Sequence, residues 1–214
     1  MPSLDAVVNC AAIAPWGPLE LTPLATYRKT YEINVVGGVA IYQAAMPALR
    51  KTGGRIVLIG SMGGRMALPF MAAYICTKFA LEGLGDIMRR EAAPQGVKVS
   101  IVQPGGIRTN MVYLQITGAK RDLEALQPQD RERYGYLYEC FTEYAEASMR
   151  ESGSTPAQVA AVVIEALDAA EPASRYIAGD DAKTALDAIA AMSDGQADAM
   201  LAQIFHRDTQ AGSA

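Results

Sequence analysis

A chain of 214 residues with 50% hydrophobic and 20% charged residues is long enough to bury a substantial core in one domain. Its 19 lysines and arginines against 23 aspartates and glutamates leave a formal charge of -4, with no basic block and few rings to stack on bases, which argues against a nucleic-acid partner. Cys10, Cys76 and Cys140 form neither a CxxC pair nor a zinc-ligand spacing, no apolar run reaches the roughly 18 residues of a membrane span, and the N-terminus has no signal-peptide pattern, so a cytoplasmic protein with no metal and no membrane is expected.

In chain order, LDAVVN at 4–9 is the first short run rich in β-branched residues and reads as a buried parallel strand. A stretch long enough for a helix follows over about 22–50, then the run RIVLIGS at 55–61, a second helix over about 70–93, and VKVSIVQP at 97–104. The alternation predicts an α/β fold of βαβ units with 4–9, 55–61 and 97–103 as adjacent parallel strands, and right-handed crossovers would put consecutive helices on one face. From Met111 to about Arg150 the pattern weakens into a polar, tyrosine-bearing segment that is expected to cover a site. Thr155 then offers an N-cap with Pro156 at the first helical position, opening a helix to about Ala170. RYIAG at 175–179 reads as a last strand, and alanine-rich helical sequence runs to about Phe205. With no internal repeat and no linker, residues 1–206 are expected to form one domain and 207–214 a loose tail.

Within the second helix, YICTKFALEG places Tyr74 and Lys78 four residues apart, so both side chains rise from one helical face. An ammonium about 4 Å from a phenol, at an effective dielectric of about 20, is worth roughly 4 kcal/mol, enough to lower a tyrosine pKa by a couple of units. Such a tyrosine serves as acid or base near neutrality. Ser61 closes the preceding strand at the carboxyl edge, where open α/β sheets bind ligands. Taken singly, the three residues read as a turn serine, a half-buried helix tyrosine and a solvated lysine. A serine-hydrolase elbow fails because Ile59 stands where GxSxG needs glycine, and the only histidine, His206, lies in the tail. Gly83 and Gly85 lack the third glycine of a phosphate loop, since Met88 occupies its place.

In combination, Ser61 followed by the YxxxK of Tyr74 and Lys78 resembles the signature of the short-chain dehydrogenase/reductase family. DAVVNCAAIA is similar to the family's strand-ending NNAG motif, EINVVGG to its helix asparagine, and VQPGGIRTNM to its PG motif followed by threonine. The likeness covers about residues 4–112 strongly and extends more loosely to about 190, where TPAQVAAVVIEAL and RYIAG are similar to hydroxysteroid-dehydrogenase-like members. The resemblance implies a Rossmann-like, doubly wound parallel sheet and an NAD- or NADP-dependent oxidoreductase that interconverts an alcohol and a ketone or aldehyde. Tyr74 would carry the proton, Ser61 would hold the substrate oxygen, and Lys78 would lower the tyrosine pKa and bond the nicotinamide ribose. Asn34 would support a water that relays protons from Lys78. Cofactor contacts would come from Asn9, Ala11, Ile59, Tyr74, Lys78, Pro104, Gly105, Ile107 and Thr109, with Gly105 and Gly106 letting the backbone approach a ligand closely. Tyr113, Tyr134, Tyr136, Tyr138, Phe141 and Tyr144, with Met111, would suit a steroid or lipid-like alcohol, although a helix packing those rings in its own core explains them equally well.

The sequence departs from the family pattern at two places. NNAG is here NCAA, with Cys10 for a polar residue and Ala12 for glycine. The TGxxxGxG turn that cradles the cofactor pyrophosphate is not in the sequence, which begins at what the family would call its fourth strand. The expectation is an N-terminally truncated sheet of three to four strands, with LDAVVN as an open edge, apolar surface that invites a homo-oligomer, and activity belonging to a longer chain. The alternative is a non-catalytic binding or scaffold protein that has lost cofactor binding.

Overall fold

A computed structural model describes residues 3–205. Strands β1 (Ala6–Asn9), β2 (Arg55–Ile59), β3 (Lys98–Pro104) and β4 (Arg175–Ala178) form one parallel sheet in the order β1-β2-β3-β4. The register sets Val8 beside Val57, Leu58 beside Ile101 and Val102 beside Tyr176. This is the Rossmann-like α/β arrangement that the alternation of apolar runs implies. β2 is sealed on both faces, with Ile56, Val57 and Leu58 each only 1% exposed, and burying such a side chain is worth about 1.5–3 kcal/mol.

The residues expected as one helix over 22–50 fold as α1 (Leu24–Tyr31), a π-helical turn (Glu32–Val36) and α2 (Gly37–Thr52); the helix expected over 70–93 is α3 (Ala72–Ala92). Side chains alternate across a strand, so Ile56, Leu58, Val99 and Ile101 share one face, where Met46 and Leu49 of α2 and Leu81 and Met88 of α3 cover them. α3 sits unusually close to β3: a Cβ on Gly85 would lie 2.6 Å from Ile101 Cδ1, so only glycine fits there.

The segment from 111 to 150 is more regular than its sequence suggests, forming α4 (Asn110–Ala125) and α5 (Pro128–Ala147), followed by a second π-helical turn (Ser148–Ser152). α4 buries Gln115, Ile116, Gly118 and Ala119, and α5 buries Gly135, Tyr138, Phe141, Thr142 and Ala145. A stripe of small, polar and aromatic residues gives a faint hydrophobic period, which is why the helices are hard to read. α6 (Pro156–Asp168) begins as expected, with Thr155 Oγ1 accepting the Gln158 N–H at 3.2 Å in a capping box and Pro156 at the first helical position. α7 (Asp180–Ala190) and α8 (Asp194–Ile204) follow β4. His206 and the tail expected over 207–214 lie outside the described residues.

One connection departs from expectation. α2 and α3 share a face, as crossovers of one hand must when the sheet grows in one direction. α6 packs Val159 and Ala166 on the opposite face, against Val57 and Val102, although β4 extends the sheet the same way, so its connection has the opposite hand. The handedness preference belongs to direct strand–helix–strand units. Here α4, α5 and a π turn intervene, and the chain has length enough to pass over the end of the sheet. Among the described residues no helix is long and apolar enough to cross a membrane.

Candidate active site

Just beyond β2, Gly60 donates its N–H to Val102 O at 2.8 Å, and Ser61 caps a short 3-10 turn (Met62–Gly64), its Oγ accepting the Gly63 N–H at 3.0 Å. The Ser61 hydroxyl is thereby set at the carboxyl edge of the sheet. Tyr74, in the first turn of α3, lines the same pocket as Ser61. One turn further on, Lys78 is 4% exposed; its ammonium donates to Ile59 O at 2.7 Å and lies 5.5 Å from the centre of the Tyr74 ring. The structure therefore brings Ser61, Tyr74 and Lys78 to the carboxyl edge of the sheet, Ser61 and Tyr74 in one pocket and Lys78 beside the Tyr74 ring.

The titration behaviour of the pair differs from what the i, i+4 spacing predicts. Burial pushes the Tyr74 phenol up, and the neighbouring Ser61 side chain opposes this. Burial also pulls Lys78 down from 10.5 to about 8, against the upward pull of Cys10 and Glu82. Desolvation penalises both charged forms at once, and Lys78 is aimed at a backbone carbonyl of β2. Spacing along a helix carries no information about burial, so the direction for Tyr74 had to come from the fold.

Asn34 sits buried in the first π turn. Its Oδ1 accepts the Ile13 N–H at 2.9 Å, and its Nδ2 donates to Ile13 O and to Thr77 Oγ1, each at 2.9 Å. Thr77 Oγ1 in turn donates to Tyr74 O at 2.6 Å. A helix-interior asparagine finds its partners here, and the side chain clamps the segment after β1 to the helix that carries Tyr74.

The ends of the strands bring the remaining candidates to the same edge. Asn9 is buried and its Oδ1 accepts the Ala11 N–H at 3.3 Å. Ile59 supplies the carbonyl that holds Lys78, and Pro104 closes β3. Ile107 pairs with Ser154, and Thr109 caps α4 without a side-chain bond to that helix. Gly105 and Gly106, expected to clear a ligand, make room for the protein itself. A Cβ on Gly105 would fall 2.2 Å from Asp181 Oδ2, and one on Gly106 would fall 2.3 Å from Ser148 Oγ. Asp181 Oδ2 accepts the Gly106 N–H at 2.7 Å, fixing the loop that presents Ile107 and Thr109. Nothing in the motifs pointed to Asp181; the one local signal is an acidic residue in the first turn of α7, a place that favours carboxylates.

A pocket of about 180 Å3 opens over Ser61 and Tyr74, walled by Met71, Ile107, Phe141 and Tyr144. Ala14, Met111 and Gln115 form a wall shared with a larger apolar groove of about 860 Å3. Of the rings expected to meet a substrate, Phe141 and Tyr144 reach the pocket with Met111, and Tyr113, Tyr134, Tyr136 and Tyr138 do not line it. Tyr138 stacks edge-on against Phe70 at 4.6 Å, Tyr134 bonds Glu20, and Tyr113 is 59% exposed. Phe70 holds a φ of 71°, a left-handed backbone that costs a non-glycine residue energy. Its ring is pinned by Tyr138 and Phe141 and its carbonyl by the Gly17 N–H. The cover is tied down beside it: Trp16 Nε1 donates to Asp122 Oδ2 at 3.1 Å and Gln115 Nε2 to Ala14 O at 2.8 Å.

Known proteins resemble the chain across this site. The profile of the short chain dehydrogenase family matches residues 1–117. Mitochondrial D-beta-hydroxybutyrate dehydrogenase of Rattus norvegicus is 40% identical over 179 residues, covering 79% of this chain and 51% of that protein. The 17-beta-hydroxysteroid dehydrogenase type 1 of Homo sapiens is 33% identical over 174 residues, covering 81% and 52%. The chain thus spans about half the length of these relatives. A short-chain dehydrogenase structure from Streptomyces avermitilis superposes with a TM-score of 0.66 at 28% identity, covering 94% of this chain and 67% of that one. The match to the family profile over more than half of its residues, together with the placement of Ser61, Tyr74 and Lys78, makes the chain a member of the short-chain dehydrogenase family.

Proposed function

We propose that the protein is an NAD- or NADP-dependent dehydrogenase/reductase acting on a neutral secondary alcohol and its ketone, with Tyr74 as the proton donor and acceptor. The observation that carries this reading is that Ser61 and Tyr74 line one pocket at the sheet edge, with the buried Lys78 ammonium one helical turn behind, 5.5 Å from the centre of the Tyr74 ring. Ser61 holds the substrate oxygen beside the phenol. Tyr74 gives that oxygen its proton in reduction and takes it back in oxidation; a phenol whose pKa burial raises is protonated at neutral pH, as reduction requires. The residues present fit the nicotinamide-ribose end of the cofactor. Among the described residues, Lys78 Nζ donates to Ile59 O, and an ammonium has three donors, which leaves two for ribose hydroxyls. Ile107 would offer its main chain and Thr109 its hydroxyl, beside Asn9 and Ala11. The bound cofactor supplies or accepts the hydride.

The pocket lining supports a neutral reacting head. Among the described residues it contains no lysine, arginine or histidine, so a hydroxy acid would bury its carboxylate without a partner from them, at a cost of several kcal/mol. Its 180 Å3 is small beside the roughly 300–1,000 Å3 of ordinary ligand sites, and the adjoining apolar groove offers space for a ring system or chain, in keeping with a steroid or lipid-like alcohol. Exposed Phe79 and Ile87 on α3, at 43% and 51%, support a homo-oligomer.

The reading is tested on the full-length protein by following reduced-cofactor absorbance with matched pairs of neutral ketones and keto acids. Neutral ketones are expected to be turned over in preference, and Tyr74→Phe to lower kcat by about 100-fold or more with cofactor affinity unchanged. Preference for keto acids would overturn the substrate assignment, and an active Tyr74→Phe protein the mechanism.

A further inference from the structure

α3 carries more acid on its inner face than the site consumes. Continuing the i, i+4 row beyond Tyr74 and Lys78 come Glu82 and Asp86, and Glu82 is buried, 6% exposed. Both of its oxygens are occupied by other elements. Oε1 accepts Gln103 Nε2 of β3 at 2.9 Å; Oε2 accepts Arg175 Nε of β4 at 2.8 Å and lies 3.5 Å from Arg65 Nε in the loop after β2. Arg175 also reaches Asp86 at 3.0 Å. The loop that presents Ser61 closes against the same carboxylate: a Cβ on Gly64 would lie 2.9 Å from Glu82 Cγ, and one on Gly60 3.4 Å from Oε1.

We propose that Glu82 is a positioning residue that holds the charge on Lys78 and links it, through a shared ion-pair cluster, to Arg175 on β4 and Arg65 in the substrate loop. A buried carboxylate one turn from an ammonium acts through a medium of low dielectric and favours the charged amine. Glu82 does not take Lys78 as a direct partner, because Gln103 and Arg175 engage its oxygens, and Lys78 is left directed at Ile59 O and the sheet edge. Arg175 and Arg65 in turn weaken the field that Glu82 exerts. The titratable and charged groups around Lys78 are Tyr74 and Glu82 from its own helix, Cys10 from the segment after β1 and, through Glu82, Arg65 and Arg175; the π turn contributes the neutral Asn34. The catalytic meaning of this coupling rests on the dehydrogenase reading, but the coupling itself does not.

The test is an NMR titration of the Lys78 side chain in the protein without cofactor, assigned with Lys78→Arg. In Glu82→Gln the midpoint is expected to fall below that of the natural protein by roughly half a unit to one unit. In Arg65→Gln, which removes a side chain that is 50% exposed and so disturbs little packing, it is expected to rise by a few tenths. A purely structural role predicts the opposite sign for Glu82→Gln, since a loosened site admits water and lets Lys78 move up toward its ordinary value. A rise in Glu82→Gln overturns the proposal, as does an unmoved midpoint in Arg65→Gln; the second variant decides alone if the first does not fold. No cofactor or substrate is needed, so failure here leaves the dehydrogenase reading standing, and an active Tyr74→Phe protein leaves the coupling standing.

Discussion

The sheet with α3 and the helical cover of α4 and α5 are held together in different ways. In the platform, Leu58, Leu81, Met88 and Ile101 are all at most 4% exposed, and Ser61, Tyr74 and Lys78 rise directly from that packing. The cover rests on the ring cluster around Phe70 and on a few polar ties at Trp16, Ala14 and Glu20. It exposes Met111, Tyr113 and Leu114 at 44%, 59% and 61%. The contrast teaches that Ser61, Tyr74 and Lys78 are carried by elements held in dense apolar packing, whereas the far wall of the pocket belongs to a part with fewer anchors.

The largest expected effect separates the platform from the cofactor site as a whole. Lys78→Ala removes a buried ammonium with donors left for ribose hydroxyls and should weaken NADH or NADPH binding by about 10- to 100-fold. Nicotinamide fluorescence in a titration reads this directly, and binding unchanged in Lys78→Ala would remove Lys78 from the cofactor site.

Next comes the cost of the buried lysine. Its folded-state pKa of about 8 lies below its ordinary 10.5, so between those values the unfolded chain binds more protons and stability rises with pH. Below pH 8 the full penalty applies. Lys78→Met should therefore stabilise the protein at pH 7, by about 1–3 kcal/mol, with the gain shrinking toward zero as pH approaches 10.5. Urea unfolding of both proteins at pH 7 and pH 10 checks the trend; a gain that grows with pH would contradict it.

A matched pair of glycine substitutions then sets the two regions side by side. Gly85→Ala puts a methyl 2.6 Å from Ile101 Cδ1, and Gly118→Ala puts one 2.2 Å from Trp16 Cζ2. The first overpacks the platform and should cost about 1–3 kcal/mol of stability with KM little changed. The second should lever Trp16 from the cover, raising KM several-fold at a smaller cost in stability. Equal losses of stability with equal KM values would erase the distinction between the regions. The smallest effect belongs to a site in neither: Thr155→Ala removes the capping box of α6 and should cost about 1 kcal/mol without touching KM.

Legibility followed the same division. The strands were readable from their β-branched runs, but only β2 and β3 are sealed on both faces: β1, expected to be buried, is an edge strand with Val8 42% exposed. The Thr155–Pro156 start of α6 was readable because capping is local chemistry. Tyr74 and Lys78 were readable as a pair, since one helical turn fixes their relation, whereas Ser61 was joined to them by the resemblance and brought into their pocket by the fold. Asn34 was found by its place in the motif order, but its clamp on Ile13 depends on a π turn that no residue in EINVVGG announces. The cover helices were legible only as an alternative for the ring-bearing residues, because their buried stripe mixes glycine, glutamine and rings. The rings of α5 were divided between core and pocket by how the helix is turned over Phe70, which its sequence alone leaves open.

What the sequence by itself determined is whatever depends on near neighbours: the parallel strands, the caps, and the alignment of Tyr74, Lys78, Glu82 and Asp86 along one face of α3. What only the tertiary structure decided is whatever depends on residues brought together from far apart. Asp181 reaches Gly106 across 75 residues, and Arg175 reaches Glu82 across 93. The face taken by α6 and the upward shift of the Tyr74 phenol belong with them. Periodicity and spacing describe directions along a chain, but desolvation and charge depend on what surrounds a group in three dimensions, and that is settled only when the sheet, α3 and the C-terminal segment have packed.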